Sequence, residues 1–280
     1  MSSTRQALED FLAANPDDIA AHSAYADWLT ENGDPRGDYI RLQLALEDKT
    51  QPADQLKAME QAAEKIRKKH EADWLGSFNE FVNPSKWQIL THLRRSVDRD
   101  LVAHFRWGWM HEVAITAPTD QFWASLLASP ASRLLQRLTV LVVPDADIPD
   151  PTEWLKYTTK FPALRYLCVN ADQFDDDSVD RLIESKLLQQ LRGLDLKHCQ
   201  ITDDGAQALA QEPTVRTLEY LRLDGNYISP IGADAVKQVG FDVGEQRYLN
   251  RGQITDALVS LSLATGDIDE LRRHMNRLQD

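Results

Sequence analysis

An acidic run extends from Asp172 to Asp180 and holds enough carboxylates to suggest a calcium site. The run lacks the spacing of an EF-hand loop and the glutamate that closes such a loop. Several of its aspartates stand where a helix is expected to begin, and carboxylates at that position accept hydrogen bonds from backbone N–H groups. We therefore expect these residues to cap a helix, and we predict no metal site.

The short motifs that usually position a catalytic nucleophile, a metal or a phosphate are missing from the sequence. It has no phosphate-binding loop, no G-x-S-x-G, no H-E-x-x-H and no C-x-x-C. Cys168 and Cys199 have no Cys–His signature around them, so we expect both to be buried thiols. The sequence therefore predicts no catalytic residue and no cofactor.

A basic segment with tryptophans lies between Pro84 and Met110, where Lys and Arg outnumber Asp. Basic residues interleaved with aromatic rings are typical of nucleic-acid or anion sites. The residues of this alternative are Arg94, Arg95, Arg99, Arg106, Trp107 and Trp109. The favoured interpretation is an amphipathic helix over about 85–104, because apolar residues recur there at helical spacing.

The elements that position these residues follow from a repeat in the second half of the sequence. The pattern L-x-x-L-x-L-x-x-(N/C)-x-I begins at Leu191 and again at Leu218, an interval of 27 residues. Earlier copies are expected at Leu164, at Leu138 and, in degenerate form, at Met110. The pattern resembles leucine-rich repeats of the ribonuclease-inhibitor-like subclass. That resemblance implies parallel strands on a concave side and helices on a convex side.

Side chains between the core leucines are expected on the concave face, because strand side chains alternate between two sides. Asp195 should then lie beside Arg222, and Lys197 beside Asp224, so that these charges satisfy one another. Tyrosines on such a rigid face are frequent anchors of protein recognition. The predicted partner-binding set is Val140, Val142, Tyr166, Asn170, Asp195, Lys197, Tyr220, Arg222 and Asp224.

The first 80 residues are expected to form helices. A proline follows a capping residue at Asn15 and again at Asp34, and both positions predict a helix start. Asp27 is interpreted as a carboxylate on a core-facing turn that needs a cationic partner. Arg36 and Arg41 are the expected partners, in a purely structural trio.

Short motifs between Ala13 and Gln43 resemble a known module. They are Asn15-Pro16-Asp17-Asp18, Tyr25-Ala26-Asp27-Trp28-Leu29, Gly33-Asp34-Pro35-Arg36-Gly37 and Ile40-Arg41-Leu42-Gln43. They are similar to the repeat-companion domain, a bacterial module abundant in planctomycetes and myxobacteria that often precedes leucine-rich repeats. The resemblance implies a helical domain and no catalytic residues, since the family has no assigned activity. Residues 77–104 depart from the family by being longer and more charged.

The composition is that of a folded globular protein, with 42% hydrophobic and 27% charged residues. Neither a signal peptide nor a membrane span is predicted, so we expect a cytoplasmic location. The predicted fold is an α/β leucine-rich-repeat solenoid preceded by an all-α domain and closed by a helical cap. Its expected parts are a helical domain at 1–80, a linking or capping helix at 81–109, about five repeats at 110–240 and the cap at 241–280.

The predicted function is a non-enzymatic protein–protein interaction module with an adaptor or regulatory role, whose partner is another protein. The net charge of −13 disfavours general binding of nucleic acid or of an anionic membrane. One alternative is nucleic-acid or anion binding through the segment 84–110. A less favoured alternative is an enzyme whose site is assembled between the amino-terminal domain and the repeats.

Overall fold

Four helices form the amino-terminal part of the chain in the computed structural model, which describes residues 3–81, 102–116, 118–142 and 152–247. Their bounds are Ser3–Ala14 (α1), Ile19–Glu31 (α2), Arg36–Ala45 (α3) and Ala53–Leu75 (α4). The Asp18 carboxylate caps α2 by accepting a hydrogen bond from the Ala21 N–H, three residues beyond the predicted cap at Asn15. None of the helices in the described ranges is long and apolar enough to span a membrane.

A single sheet follows, and within the described residues its six strands lie in chain order. The strands are Val102–Arg106 (β1), Trp109–Thr116 (β2), Arg137–Val142 (β3), Tyr166–Ala171 (β4), Gly193–Asp195 (β5) and Tyr220–Arg222 (β6). β1 and β2 pair antiparallel, and all later neighbours pair parallel. The helices after β2 are Asp120–Ala128 (α5), Leu155–Thr158 (α6), Asp176–Glu184 (α7), Asp203–Gln211 (α8) and Pro230–Gln238 (α9). This parallel-strand α/β arrangement is compatible with the predicted type of fold.

One leucine from each parallel strand stacks on the next. Leu138, Leu167, Leu194 and Leu221 are successive register partners across β3 to β6. Each is at most 4% exposed and belongs to the main apolar core between the sheet and the helices. Full burial of such a side chain stabilises the fold by about 1.5–3 kcal/mol. The last three members of this row are the positions that the repeat pattern predicts.

The pattern at β3 differs from the prediction by three residues. Leu138 takes the position of Leu167, so the repeat there begins at Leu135 and not at Leu138. An odd shift exchanges the two faces of a strand. Val140 is therefore completely buried, and its prediction as a partner-binding residue is wrong. Val142 is the register partner of Ala171, two positions along β3 from the pairing of Val140 with Val169.

The segment before the first parallel strand is also partly mispredicted. Residues 82–101, which carry most of the expected helix at 85–104, lie outside the described residues. From Val102 onward the chain forms the strands β1 and β2, not a helix. Their connection is a two-residue turn at Trp107 and Gly108, with φ angles of 48° and 76°. Positive φ at both positions is what a tight hairpin with right-handed twist requires, and Gly108 adopts it without strain.

The hairpin turn is buried against the amino-terminal helices. Trp107 and Trp109 share an apolar cluster with Tyr25, Leu29 and other side chains of those helices. The Trp107 indole N–H donates a hydrogen bond to Glu47 Oε1 at 3.2 Å. Its ring meets the His22 ring edge-on at 4.6 Å. These contacts hold a bulky residue in a left-handed conformation that such residues rarely adopt.

Arg36 is the polar anchor of this contact. Its guanidinium is buried, lies 4.0 Å from the centre of the Trp109 ring, and donates from Nε and Nη2 to the Gly108 carbonyl oxygen at 3.0 and 2.6 Å. The expected trio of Asp27, Arg36 and Arg41 does not form. Asp27 is exposed and lies 3.9 Å from Arg41 alone, because its turn faces outward and not into the core.

The aspartates of the acidic run cap helices, as predicted, and they also join neighbouring repeats. Asp175 caps α7 through the Ser178 N–H. Asp176 accepts hydrogen bonds from the next repeat, from the Thr202 N–H at 2.8 Å, the Thr202 hydroxyl at 2.6 Å and the Gly205 N–H at 3.1 Å. One repeat later, Asp203 accepts the corresponding hydrogen bonds from the Ser229 N–H, the Ser229 hydroxyl and the Gly232 N–H.

We expect Asp176→Ala to lower the free energy of unfolding by about 1–3 kcal/mol, because three donors of the next repeat lose their acceptor. Asp177→Ala is the matched control, since Asp177 is exposed in the first turn of the same helix. It should cost less than about 1 kcal/mol. Urea denaturation measures both values, and equal losses would contradict the bridging role of Asp176.

We expect Arg36→Lys to cost about 1–3 kcal/mol, because an ammonium can neither stack flat on Trp109 nor donate in a fork to the Gly108 carbonyl. Arg41→Lys is the matched control at an exposed position and should change stability by less than about 0.5 kcal/mol. Thermal and urea unfolding of the two variants test this difference. Two variants of equal stability would show that the Arg36 fork does not anchor the hairpin.

Candidate protein-binding face

The side chains that alternate with the buried leucines form the candidate site, which we call the open face. Its first row follows the register partners Glu112, Arg137, Tyr166, Gly193 and Tyr220 across five strands. The second row is Ala114, Thr139, Cys168, Asp195 and Arg222. The third row contains Leu141 and Asn170, and Lys197 and Asp224 follow the ends of β5 and β6.

Two tyrosines of the first row stack on each other above a glycine, which has no side chain to separate them. The rings of Tyr166 and Tyr220 are 6.1 Å apart between centres and 8° from parallel, although a whole strand separates their backbones. Gly193 occupies that middle strand, and a side chain there would overlap the Tyr220 ring. The glycine therefore permits the stack, which is worth about 0.5–1.5 kcal/mol beyond the area it buries.

Arginines contact both tyrosine rings. The Arg137 guanidinium lies 4.4 Å from the centre of the Tyr166 ring and donates from Nη1 to the Tyr220 hydroxyl at 3.2 Å. The Arg222 guanidinium lies 5.0 Å from the centre of the Tyr220 ring. Cations are attracted to the negative faces of aromatic rings. The sequence pattern does not indicate Arg137, because the predicted repeat begins at Leu138 and leaves Arg137 outside its strand.

The Tyr166 hydroxyl faces the rim of the sheet, where it donates a hydrogen bond to Glu219 Oε2 at 3.1 Å. Burial, together with this bond, raises the pKa of Tyr166 above its ordinary value. The hydroxyl therefore stays protonated at neutral pH and acts as a donor. With Arg137 on Tyr220 and Glu219 on Tyr166, both hydroxyl groups of the stack have fixed partners.

The predicted ion pairs of the open face are present. Arg222 lies 3.4 Å from Asp195, and Lys197 lies 3.0 Å from Asp224. Burial acts to raise the pKa of Asp224, but the bond from Lys197, a backbone hydrogen bond and the charges of Lys197 and Arg222 together outweigh it, so the pKa lies below its ordinary value. These four charges satisfy one another, as the sequence predicts.

Cys168 lies in the second row and is half-buried, and Cys199 is buried in the core. Burial raises the pKa of Cys168 to about 11 and that of Cys199 to about 12. Because the thiolate is the reactive form of cysteine, both thiols are expected to react slowly at neutral pH. Cys168 therefore contributes packing to the open face and is a poor nucleophile.

The residues of the anion-binding alternative are not brought together as expected. Arg94, Arg95 and Arg99 lie outside the described residues. Arg106 pairs with Asp17 at 3.0 Å and covers the Trp107 ring at 3.9 Å. The Trp107 and Trp109 side chains are 3% and 2% exposed, so no base can stack on them. Their aromatic surface is needed for the contact with the amino-terminal helices, which sequence spacing could not show.

Comparison with known proteins agrees with the repeat. A family model described as Leucine Rich repeat matches residues 189–210, which contain β5 and most of α8. The chain thus carries a leucine-rich repeat. A search of the curated proteins gave no match.

A crystal structure of a Bacteroides fragilis protein is similar to part of the chain. The two share 22% sequence identity, with a TM-score of 0.38. The similarity covers 45% of this chain and 36% of the other. This chain therefore matches about a third of the length of that protein.

Alkylation by iodoacetamide tests the packing of the open face. Because burial raises the pKa of Cys168 to about 11, we expect its reaction to be slow at neutral pH and to accelerate as the pH approaches that value. Peptide mass spectrometry follows Cys168 and Cys199 separately in the intact protein. A Cys168 rate that levels off near the ordinary thiol pKa of 9.0 would contradict the burial.

Proposed function

We propose that the chain is a non-enzymatic protein-interaction module, a leucine-rich-repeat solenoid that presents its open face to another protein in an adaptor or regulatory role. The cytoplasm is its proposed location. The helices of residues 3–81 are proposed to be a repeat-companion domain. The carboxyl-terminal cap stays a prediction, because most of it falls on residues 248–280, outside the described residues.

The observation that carries this proposal is the tyrosine stack. Tyr166 and Tyr220 contact each other, the guanidinium groups of Arg137 and Arg222, and the Glu219 carboxylate. The stack is therefore formed before a partner binds. Association costs free energy whenever flexible side chains must be ordered, so a preformed aromatic anchor lowers that cost. Tyrosine and arginine are also the residue types most enriched among the energetically dominant positions of protein interfaces.

The proposed binding set differs from the set predicted by sequence. Tyr166, Asn170, Asp195, Lys197, Tyr220, Arg222 and Asp224 are kept, because the strand register puts them on or beside the open face. Arg137, Thr139 and Leu141 replace Val140 and Val142 at β3. Leu141 is among the few large apolar side chains in the described residues that are at least 36% exposed. The revised set joins an aromatic centre to an apolar neighbour.

The two alternative functions have less support. Nucleic-acid binding through the segment 84–110 would need accessible tryptophan rings, and those of Trp107 and Trp109 are buried. Catalysis would need a reactive group in a cleft. Burial raises the pKa of both cysteines, and in the described ranges no group of three or more His, Cys, Asp or Glu is arranged to hold a metal.

The double variant Tyr166→Ala/Tyr220→Ala tests the proposed face. We expect wild-type protein to capture a specific partner from an extract of the native cell, and the double variant to lose it. Tyr157→Ala is the matched control, because Tyr157 stacks on Trp123 beside the helix α5 and not on the open face. Quantitative mass spectrometry compares the captured proteins, and thermal unfolding confirms that each variant folds. Undiminished capture by the folded double variant would reject the face.

A further inference from the structure

We infer that the occupant of the open face is an acidic polypeptide segment, whose carboxylates bind Arg137 and Arg192 around the Tyr166 ring. This inference rests on the proposed function and names the chemical class of the partner. Three features of the described residues carry it: two guanidinium groups without a carboxylate partner, the like charge of a neighbouring arginine, and carboxylates on the open face that disfavour a continuous polyanion.

Arg137 has hydrogen-bonding capacity to spare. To the residues that the structure describes it donates a single hydrogen bond, to the Tyr220 hydroxyl, and its guanidinium lies over the Tyr166 ring. Among the described residues no carboxylate oxygen lies within 4.0 Å of its guanidinium nitrogens, although Glu112 is its register partner. A guanidinium carries five N–H donors, so Arg137 can accept a bidentate carboxylate without releasing either tyrosine.

Arg192 adds a second cation directly before Gly193, on the strand between the two tyrosines. Its side chain is exposed, and within the described residues it too has no ion pair. Its backbone N–H donates to the Arg165 carbonyl oxygen at 2.6 Å. The two arginines therefore lie side by side, each directly before one of the neighbouring strands β4 and β5. Burial and the nearby charge of Arg192 both lower the pKa of Arg165. The charges of Arg192 and Arg137 also act on the Tyr166 hydroxyl, against the effect of burial and Glu219.

Like charges gathered in this way repel one another, and an incoming carboxylate relieves the repulsion. The cations Arg137, Arg165 and Arg192 lie near carboxylates that include Glu112, the register partner of Arg137, and Glu219, which accepts a hydrogen bond from Tyr166. Along the open face, the positive charges of Arg137, Lys197 and Arg222 equal in number the negative charges of Glu112, Asp195 and Asp224. In the described residues Lys197 and Arg222 have carboxylate partners, whereas Arg137 and Arg192 have none within 4.0 Å, so these two arginines attract an acidic segment.

The carboxylates of the open face favour a polypeptide over a nucleic acid. Tyr166 and Tyr220 both stay partly exposed, so the tyrosine stack alone does not distinguish the two. The carboxylates of Asp195 and Asp224 on the same face repel a continuous polyanion, whereas separate acidic side chains on a peptide can avoid them.

Fluorescence anisotropy with labelled probes tests the inference on the full chain. The probes are a peptide rich in glutamate, its glutamine and lysine counterparts of equal length, and an oligothymidylate of the same charge as the first. We expect the glutamate peptide to bind more tightly than the other three. Arg137→Gln and Arg192→Glu should each weaken its binding about tenfold, and added salt should weaken it further. Lys237→Glu, the control on the exposed side of α9, should leave the affinity unchanged.

Several results would overturn the inference. None of them decides the proposed function, which the partner-capture experiment tests separately. Equal affinity for the glutamine peptide would show that the face recognises apolar or backbone groups. Tighter binding of oligothymidylate would assign the arginines to nucleic acid. Self-association that Arg192→Glu abolishes would make a second copy the occupant. Binding of none of the probes would exclude an acidic segment, while loss of a captured partner from the tyrosine double variant would still support the face itself.

Discussion

The register of the parallel strands is the constraint on which the rest of the structure depends. The buried leucines of β3 to β6 form one continuous row, and every residue next to them is thereby assigned to the core or to the open face. A shift of one strand by a single residue would exchange its two faces. Leu167, Leu194 and Leu221 must remain register partners for the tyrosine stack and the two ion pairs to form.

The same register joins the sheet to the amino-terminal helices. The strand β1 pairs with β2 at the first side of the sheet. Its hairpin turn carries Trp107 and the Gly108 carbonyl into the helices, where Arg36 binds the carbonyl. The helices thus hold the first two strands at their hairpin turn. The open face remains separate from this contact.

Much of the arrangement could be predicted from the sequence, because leucine spacing determines strand register wherever the pattern is unambiguous. The spacing correctly placed Leu194 and Leu221 on adjacent rungs and paired Asp195 with Arg222. It failed at β3, where Leu-x-x-Leu-x-Val begins both at Leu135 and at Leu138, and the second start also places an isoleucine, Ile148, at the end of the pattern. Only the pairing with Leu167 selects the first pattern.

Other features depend on contacts between distant parts of the chain, which spacing does not encode. The left-handed conformation of Trp107 requires side chains about 60 or more positions earlier, including Glu47 and His22. The bridging role of Asp176 was hidden because a carboxylate at a helix start also suits its own helix. The stack of Tyr166 on Tyr220 needed both the register and the missing side chain of Gly193.

Site-specific photo-crosslinking tests the central claim, that the open face is where a protein partner binds. Leu141 on the open face and Ile231 on α9 are both exposed large apolar residues, so a photoreactive aromatic residue can replace either one under matched conditions. If the open face binds a protein, the protein carrying the label at position 141 crosslinks to a partner in the native cell, and the protein labelled at position 231 does not. Crosslinking from position 231 alone, or equally from both positions, would contradict it.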